Sequence, residues 1–93
     1  MKPLREYISE DALEDLATRS NFRYGKGIAK DGEFTLVKSN TYNHIAQVKQ
    51  GHHEKRTVHL ESTPKGLRWK CTCTSKKNYF CQHCVAVGLA FIK

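Results

Sequence analysis

The chain has 93 residues, a formal net charge of +7 and a hydrophobic fraction of 39%. A chain of this length makes one domain at most, and so small a domain buries only about 60–65% of its unfolded surface, so a structural metal is an expected source of stability. The N-terminal stretch MKPLREYISEDALEDL has no long apolar region of the signal-peptide kind. No run reaches the roughly 18 apolar residues of a membrane span, so the chain is read as cytoplasmic, with reduced cysteines.

The charge is uneven. Residues 1–20 carry three basic and five acidic groups, a balance of −2, whereas residues 21–93 carry thirteen basic and four acidic groups, a balance of +9. A basic body suits an acidic partner, and nucleic acid is the commonest.

In chain order, Ile8-Ser9-Glu10-Asp11 reads as a helix start. Ser9 can cap the free N–H groups, Glu10 and Asp11 complement the positive end of the dipole, and Ile8 and Leu13 fall at the staple positions. Leu13, Leu16 and Ala17 share one face, and Arg19 and Asn21 fit the end of that helix. Residues 20–27, SNFRYGKG, form a second short helix only if two glycines are tolerated. Asp31-Gly32 signals a turn into a β-rich stretch, EFTLVKSN, and NHIAQVK is a second strand candidate. After the polar turn QGHHEK, the run TVHLES alternates Val58 and Leu60 against His59 and Glu61. A turn at Thr63–Gly66 leads into GLRWKC, which sets Leu67, Trp69 and Cys71 on one face and Arg68 and Lys70 on the other. The last segment, VAVGLAFI, is apolar all round and predicts a buried helix. The expected architecture is α+β: an N-terminal helix, an antiparallel sheet of about four strands, and a finger made of a hairpin and a buried C-terminal helix. The expected organisation is a single domain over residues 1–93.

The chemistry concentrates in CTCTSKKNYFCQHC, residues 71–84, which holds four cysteines and one histidine. Two thiolates one residue apart end a strand. Seven residues later a thiolate and an imidazole open a helix, a soft donor set that suits zinc. Disulfides fit poorly without a secretory context. A tetrahedral ion takes four of the five candidates. Cys81 and Cys84, at i and i+3, share a helical face, which favours Cys84 as a ligand, whereas Cys84 also shares a face with Val87, Gly88 and Phe91, which favours the core. Spacing does not choose between them.

The pattern Cys71-Thr72-Cys73, a gap, and Cys81-Gln82-His83 resembles the SWIM zinc fingers, C-x-C followed by C-x-H, and the likeness continues into CVAVGLAFI. It is strongest over residues 57–92, with residues 1–56 as a helix and strands packed on the finger. The resemblance implies that Cys71, Cys73, Cys81 and His83 hold zinc and that Cys84 belongs to the core. It also implies a binding module of DNA-linked machines such as bacterial Swi/Snf-type helicase-like ATPases, or a protein-docking module of such assemblies. The chain stops at Lys93 with no glycine or proline stop, which is expected of the front part of a longer protein.

A rival zinc reading combines the H-x-E of His59-Leu60-Glu61 with the C-x-x-C of Cys81–Cys84, as in nucleobase deaminases. Phe80 stands where that signature has proline, His59 sits in a strand pattern, and Cys71 and Cys73 would have no task. Four protein ligands leave zinc no open position, and no P-loop, nucleophile elbow or carboxylate pair is evident, so no enzymatic activity is expected. The expected partner is nucleic acid, DNA before RNA, through Lys65, Arg68, Lys70, Lys76 and Lys77, with Lys55, Arg56, His52 and His53 nearby and Tyr79 and Phe80 available for stacking. The alternative is a protein partner; no small-molecule substrate is expected.

Overall fold

The computed structural model describes residues 2–51, 54–73 and 80–92. A 3-10 turn at Leu4–Glu6 precedes helix α1 (Glu10–Leu16) and helix α2 (Arg19–Asp31). Strands β1 (Glu33–Ser39), β2 (Asn43–Lys49), β3 (Arg56–Thr63) and β4 (Gly66–Cys71) follow, and helix α3 (Gln82–Ile92) closes the order. The four strands form an antiparallel sheet in sequence order, β1-β2-β3-β4. The α+β architecture read from the sequence is the one observed.

The N-terminal signals act as their chemistry dictates. Ser9 Oγ accepts the Ala12 N–H at 3.1 Å, and the staple residues Ile8 and Leu13 are both buried. The end of α1 differs from the sequence reading. Arg19 and Asn21 do not finish α1; they begin α2, because Thr18 Oγ1 accepts the Asn21 N–H at 3.1 Å and so caps a new helix. The chain breaks at Ala17, in extended backbone at ψ 159°. Leu16, the last residue of α1, is 39% exposed.

Helix α2 is longer than its glycines suggested, running 13 residues. Gly25 is where it meets α3: a Cβ there would overlap the Val85 side chain and lie 2.9 Å from the Gln82 carbonyl. The reciprocal contact is Gly88 of α3, where a Cβ would fall 2.7 Å from Leu13 of α1. Tertiary packing outweighs the low helix propensity of glycine at both positions.

The sheet sorts its residues by the period of two. His44, Ala46 and Val48 of β2 and Val58, Leu60 and Ser62 of β3 are buried, while their alternates are only partly covered. Helix α3 covers the buried face, with Cys84, Val85, Ala86, Val87 and Gly88 buried and Ile92 at 47% exposure. In its last turn Leu89 and Phe91 are only partly buried against the core and Ile92 faces outward, so the helix is not buried along its whole length. Strand β1 is an edge. Its register slips between Leu36 and Lys38, and Leu36 and Val37 are exposed. The β1–β2 turn is tied by Asn40 Oδ1, which accepts the N–H groups of Tyr42 and Asn43 at 3.0 and 2.9 Å. Gly66, at φ 119°, supplies the conformation needed to enter β4.

Candidate metal centre

Three elements bring the donors together. Cys71 is the last residue of β4, and Thr72 extends the ladder past it. The Thr72 N–H donates to the Thr57 carbonyl at 3.2 Å, and Thr72 Oγ1 accepts the Thr57 N–H at 3.1 Å. This two-sided tie fixes the residue between the first two cysteines, so the chain turns at a defined point and presents Cys71 and Cys73 together. Cys81 stands at the start of α3, its carbonyl accepting the Val85 N–H at 3.1 Å, and His83 lies in the first turn.

The donor atoms of Cys71, Cys73, Cys81 and His83 all lie within 4.8 Å of one another. Cys73 Sγ is 3.3 Å from both Cys71 Sγ and Cys81 Sγ, and Cys81 Sγ is 3.8 Å from His83 Nδ1. A tetrahedral zinc with Zn–S of about 2.3 Å and Zn–N of about 2.0–2.1 Å has edges of about 3.5–3.8 Å between its donors. The cluster has that size, and three thiols with one imidazole are the donor types zinc takes. All four cysteines are free thiols.

Cys84 is the fifth candidate. Its sulfur lies 3.8 Å from Cys81 Sγ, but its side chain is fully buried among the core residues of α3 and it is not one of the four mutually close donors. It stands behind the cluster as a packed thiol.

The protonation of the cluster shows what an ion would supply. Hydrogen bonds from Cys71 and Cys84 drive Cys81 well below the usual thiol range, against the effect of burial. Burial first, then hydrogen bonds with Cys71 and Cys81, push Cys73 up. Hydrogen bonds with Cys71 and Cys81, together with burial, push Cys84 up. Hydrogen bonds with Cys71 and Cys81 raise His83 to about 9 although burial opposes this. These contacts favour the charged form at Cys81 and oppose it at Cys73 and Cys84. A divalent cation would favour the thiolate at Cys73 and the neutral imidazole at His83.

Around the donors, Phe80 is buried and meets Trp69 edge-on, ring centroids 5.2 Å apart at 83°. Phe80 is therefore a wall of the centre and is not free to stack on a base. Trp69 reaches this wall from the core side of β4, as the strand alternation indicates.

The expected nucleic-acid residues are dispersed. Arg68 and Lys70 are exposed on the outer face of β4, beside a cleft of about 120 Å³ that they line with His59, Glu61 and Trp69. Their register partners on β3 are Glu61 opposite Arg68 and His59 opposite Lys70, so the Arg68 charge faces an acid. His59 itself bonds Asn43 Oδ1 through Nε2 at 2.9 Å. Lys65 is exposed in the β3–β4 turn, Lys55 is exposed, and Arg56 lies 3.8 Å from Glu54. Lys76, Lys77, Tyr79, His52 and His53 lie outside the described residues.

Sequence reading missed two features here. The Thr72–Thr57 tie joins residues fifteen apart and leaves no local signal. The basic run on α2, Arg19, Arg23, Lys26 and Lys30, had the spacing i, i+4, i+7, i+11, which a firm helix assignment would have exposed. No protein family, curated protein or solved structure matched the chain in the comparisons. No helix among the described residues is long and apolar enough to cross a membrane.

Proposed function

We propose that the chain is a SWIM-type zinc finger that binds nucleic acid, DNA before RNA, within a DNA-associated assembly in the cytoplasm, and catalyses no reaction itself. The observation that carries this reading is the convergence of Cys71, Cys73, Cys81 and His83. Four protein donors of the C-x-C and C-x-H pattern would hold zinc with no position left for water or substrate, which is the arrangement of a structural site. The ion would clamp the end of β4 to the start of α3. The basic body of the chain supports a polyanionic partner.

Native mass spectrometry of protein purified without chelator tests the metal and should find one zinc per chain; metal-free, folded protein would overturn that part. Fluorescence anisotropy with labelled single- and double-stranded oligonucleotides tests the partner. Affinity should fall with salt, with a log–log slope of about −0.9 per phosphate contact on duplex and about −0.7 on single strands. Replacing Lys76 and Lys77 by Ala should make the slope shallower by about one to two units and weaken all sequences alike. No binding at low salt by zinc-loaded protein would remove the nucleic-acid reading. Docking to another protein would then come forward, favoured by Leu36 and Val37, which are 62% and 56% exposed on an edge strand.

A further inference from the structure

The exposed face of α2 raises a separate question. Arg19, Arg23, Lys26 and Lys30 are all exposed, and their spacing sets them within one narrow stripe of the helix. The opposite side of the helix holds the buried Gly25 and Ile28. The stripe is costly to the helix that carries it. Successive members stand at i,i+4 or i,i+3, where like charges repel. Arg19 occupies the first helical position, at the positive end of the dipole, and the first turn holds no acidic residue. Among the described residues no ion pair answers this charge; the one ion pair there is Arg56 with Glu54. Lys26 lies over the Phe22 ring, 5.4 Å from the centroid.

Gly27 is a second, independent oddity. Gly25 is explained by Val85, but a Cβ at Gly27 would meet nothing within 4 Å. Gly27 is exposed and one turn from both Arg23 and Lys30. A poor helix former at a solvent-facing position serves nothing inside the fold. It does leave the helix surface low along one flank of the cationic stripe, beside Arg23 and Lys30, where an outside backbone can approach closely. Tyr24, 61% exposed, stands one turn away from it.

We propose that this face of α2, formed by Arg19, Arg23, Lys26 and Lys30 with Gly27 along its flank, is a docking surface for the phosphate backbone of nucleic acid. The proposal rests on the nucleic-acid reading above and places its main contacts on a helix outside the finger. The stripe spans about 16 Å at 1.5 Å per residue, the axial run of about five phosphates on one strand. Helix α2 packs against α3, which covers the buried face of the sheet, whereas Arg68 and Lys70 occupy the exposed positions of β4. Gly25 seats α2 against Gln82 and Val85, beside the turn that carries His83. The metal centre thereby braces the helix that makes the contact.

The test uses the whole zinc-loaded chain and labelled duplex and single-stranded DNA over a salt series. Arg19, Arg23, Lys26 and Lys30 are all replaced by Gln, and Arg68→Gln/Lys70→Gln serves as the comparison. The stripe variant should lose at least about tenfold in affinity at low salt, with a slope shallower by about three to four units on duplex, and should keep its zinc and helical content. Should the fourfold variant fail to fold, the pairs Arg19→Gln/Arg23→Gln and Lys26→Gln/Lys30→Gln each should remove about two units of slope. The charge-keeping Arg19→Lys/Arg23→Lys should retain the slope. Wild-type affinity and slope in the folded stripe variants would overturn the proposal. If binding then falls with Arg68→Gln/Lys70→Gln, the nucleic-acid reading survives it. Loss of binding to vesicles of phosphatidylserine, with DNA binding intact, would overturn it in favour of a membrane surface. A wild-type chain that binds no DNA would overturn both readings.

Discussion

The two ends of α3 each present a histidine drawn out of water, and the two histidines shift in opposite directions. At the start of the helix, hydrogen bonds with Cys71 and Cys81 raise His83 to about 9. Near its end, Phe91 lies edge-on to His44, 4.8 Å between ring centroids, and burial lowers His44. His44 has a neutral partner, Ser39 Oγ at 3.0 Å from Nδ1. Covering a titratable group therefore does not fix its charge; the partners inside the cover do. The first end of α3 is built from donors that could hold a metal ion. The second end is closed by side chains alone.

The largest effect should follow from breaking the first end. His83→Ala or Cys81→Ala should abolish zinc binding or weaken it by orders of magnitude, since structural zinc contributes about 10–16 kcal/mol to small fingers. Circular dichroism after chelation should show α3 and the β3–β4 hairpin lost together, and native mass spectrometry should show the metal gone. Zinc must also displace the His83 proton near neutral pH. Titration calorimetry in buffers of different ionisation enthalpy should therefore register proton release, with affinity weakening as pH falls.

Next in size is the seat of that end. Gly25→Ala would overlap Val85 and should cost about 1–3 kcal/mol. Gly27→Ala, two residues away in open space, should instead gain about 0.5–1 kcal/mol. Urea denaturation of the two variants side by side checks the opposite signs. Cys84→Ala should keep zinc and lose about 1–2 kcal/mol of packing. A Cys84→Ala chain without metal would move Cys84 into the ligand set.

The smallest effect belongs to the far end. His44 has a folded pKa below its unfolded value of about 6.5. The unfolded chain takes the proton first as pH falls, so His44 is neutral to stability above that value and destabilising below it. The urea midpoint of wild type should drop more than that of His44→Gln between about pH 7.5 and about pH 5.5. Taking the difference between the two proteins cancels the shared loss of zinc.

The sequence made most of this arrangement legible where the signals were local. Strands β3 and β4 carry clean alternation, Ser9 caps as a serine should, and the C-x-C and C-x-H spacings place the four donors at a strand end and a helix start. Spacing alone could not place Cys84, because a helical face shared with both Cys81 and Val87 fits either role; in the structure it is not one of the four mutually close donors. Helix α2 was obscured because propensity penalises glycine without knowing that Val85 will occupy the space at Gly25. The end of α1 was misplaced because the chain breaks at Ala17 and Thr18 at once caps the next helix, with no glycine or proline to mark the break. The cations of the finger gave the weakest guidance, since charge in a sequence does not say that Glu61 will stand opposite Arg68.

The slip in register between Leu36 and Lys38 has a consequence for how copies of this chain behave at high concentration. An open sheet offers two edges on which further strands can grow, and uncontrolled growth ends in insoluble fibre. Here the first edge is interrupted at Val37, so an incoming straight strand would find its hydrogen-bonding groups out of step after a few residues. The other edge, β4, carries Arg68 and Lys70, whose like charges would oppose a second copy laid alongside. Concentrated solutions should therefore stay free of ribbon-like assemblies, and an associating partner at β1 must engage Leu36 and Val37 by their side chains instead of by extending the ladder.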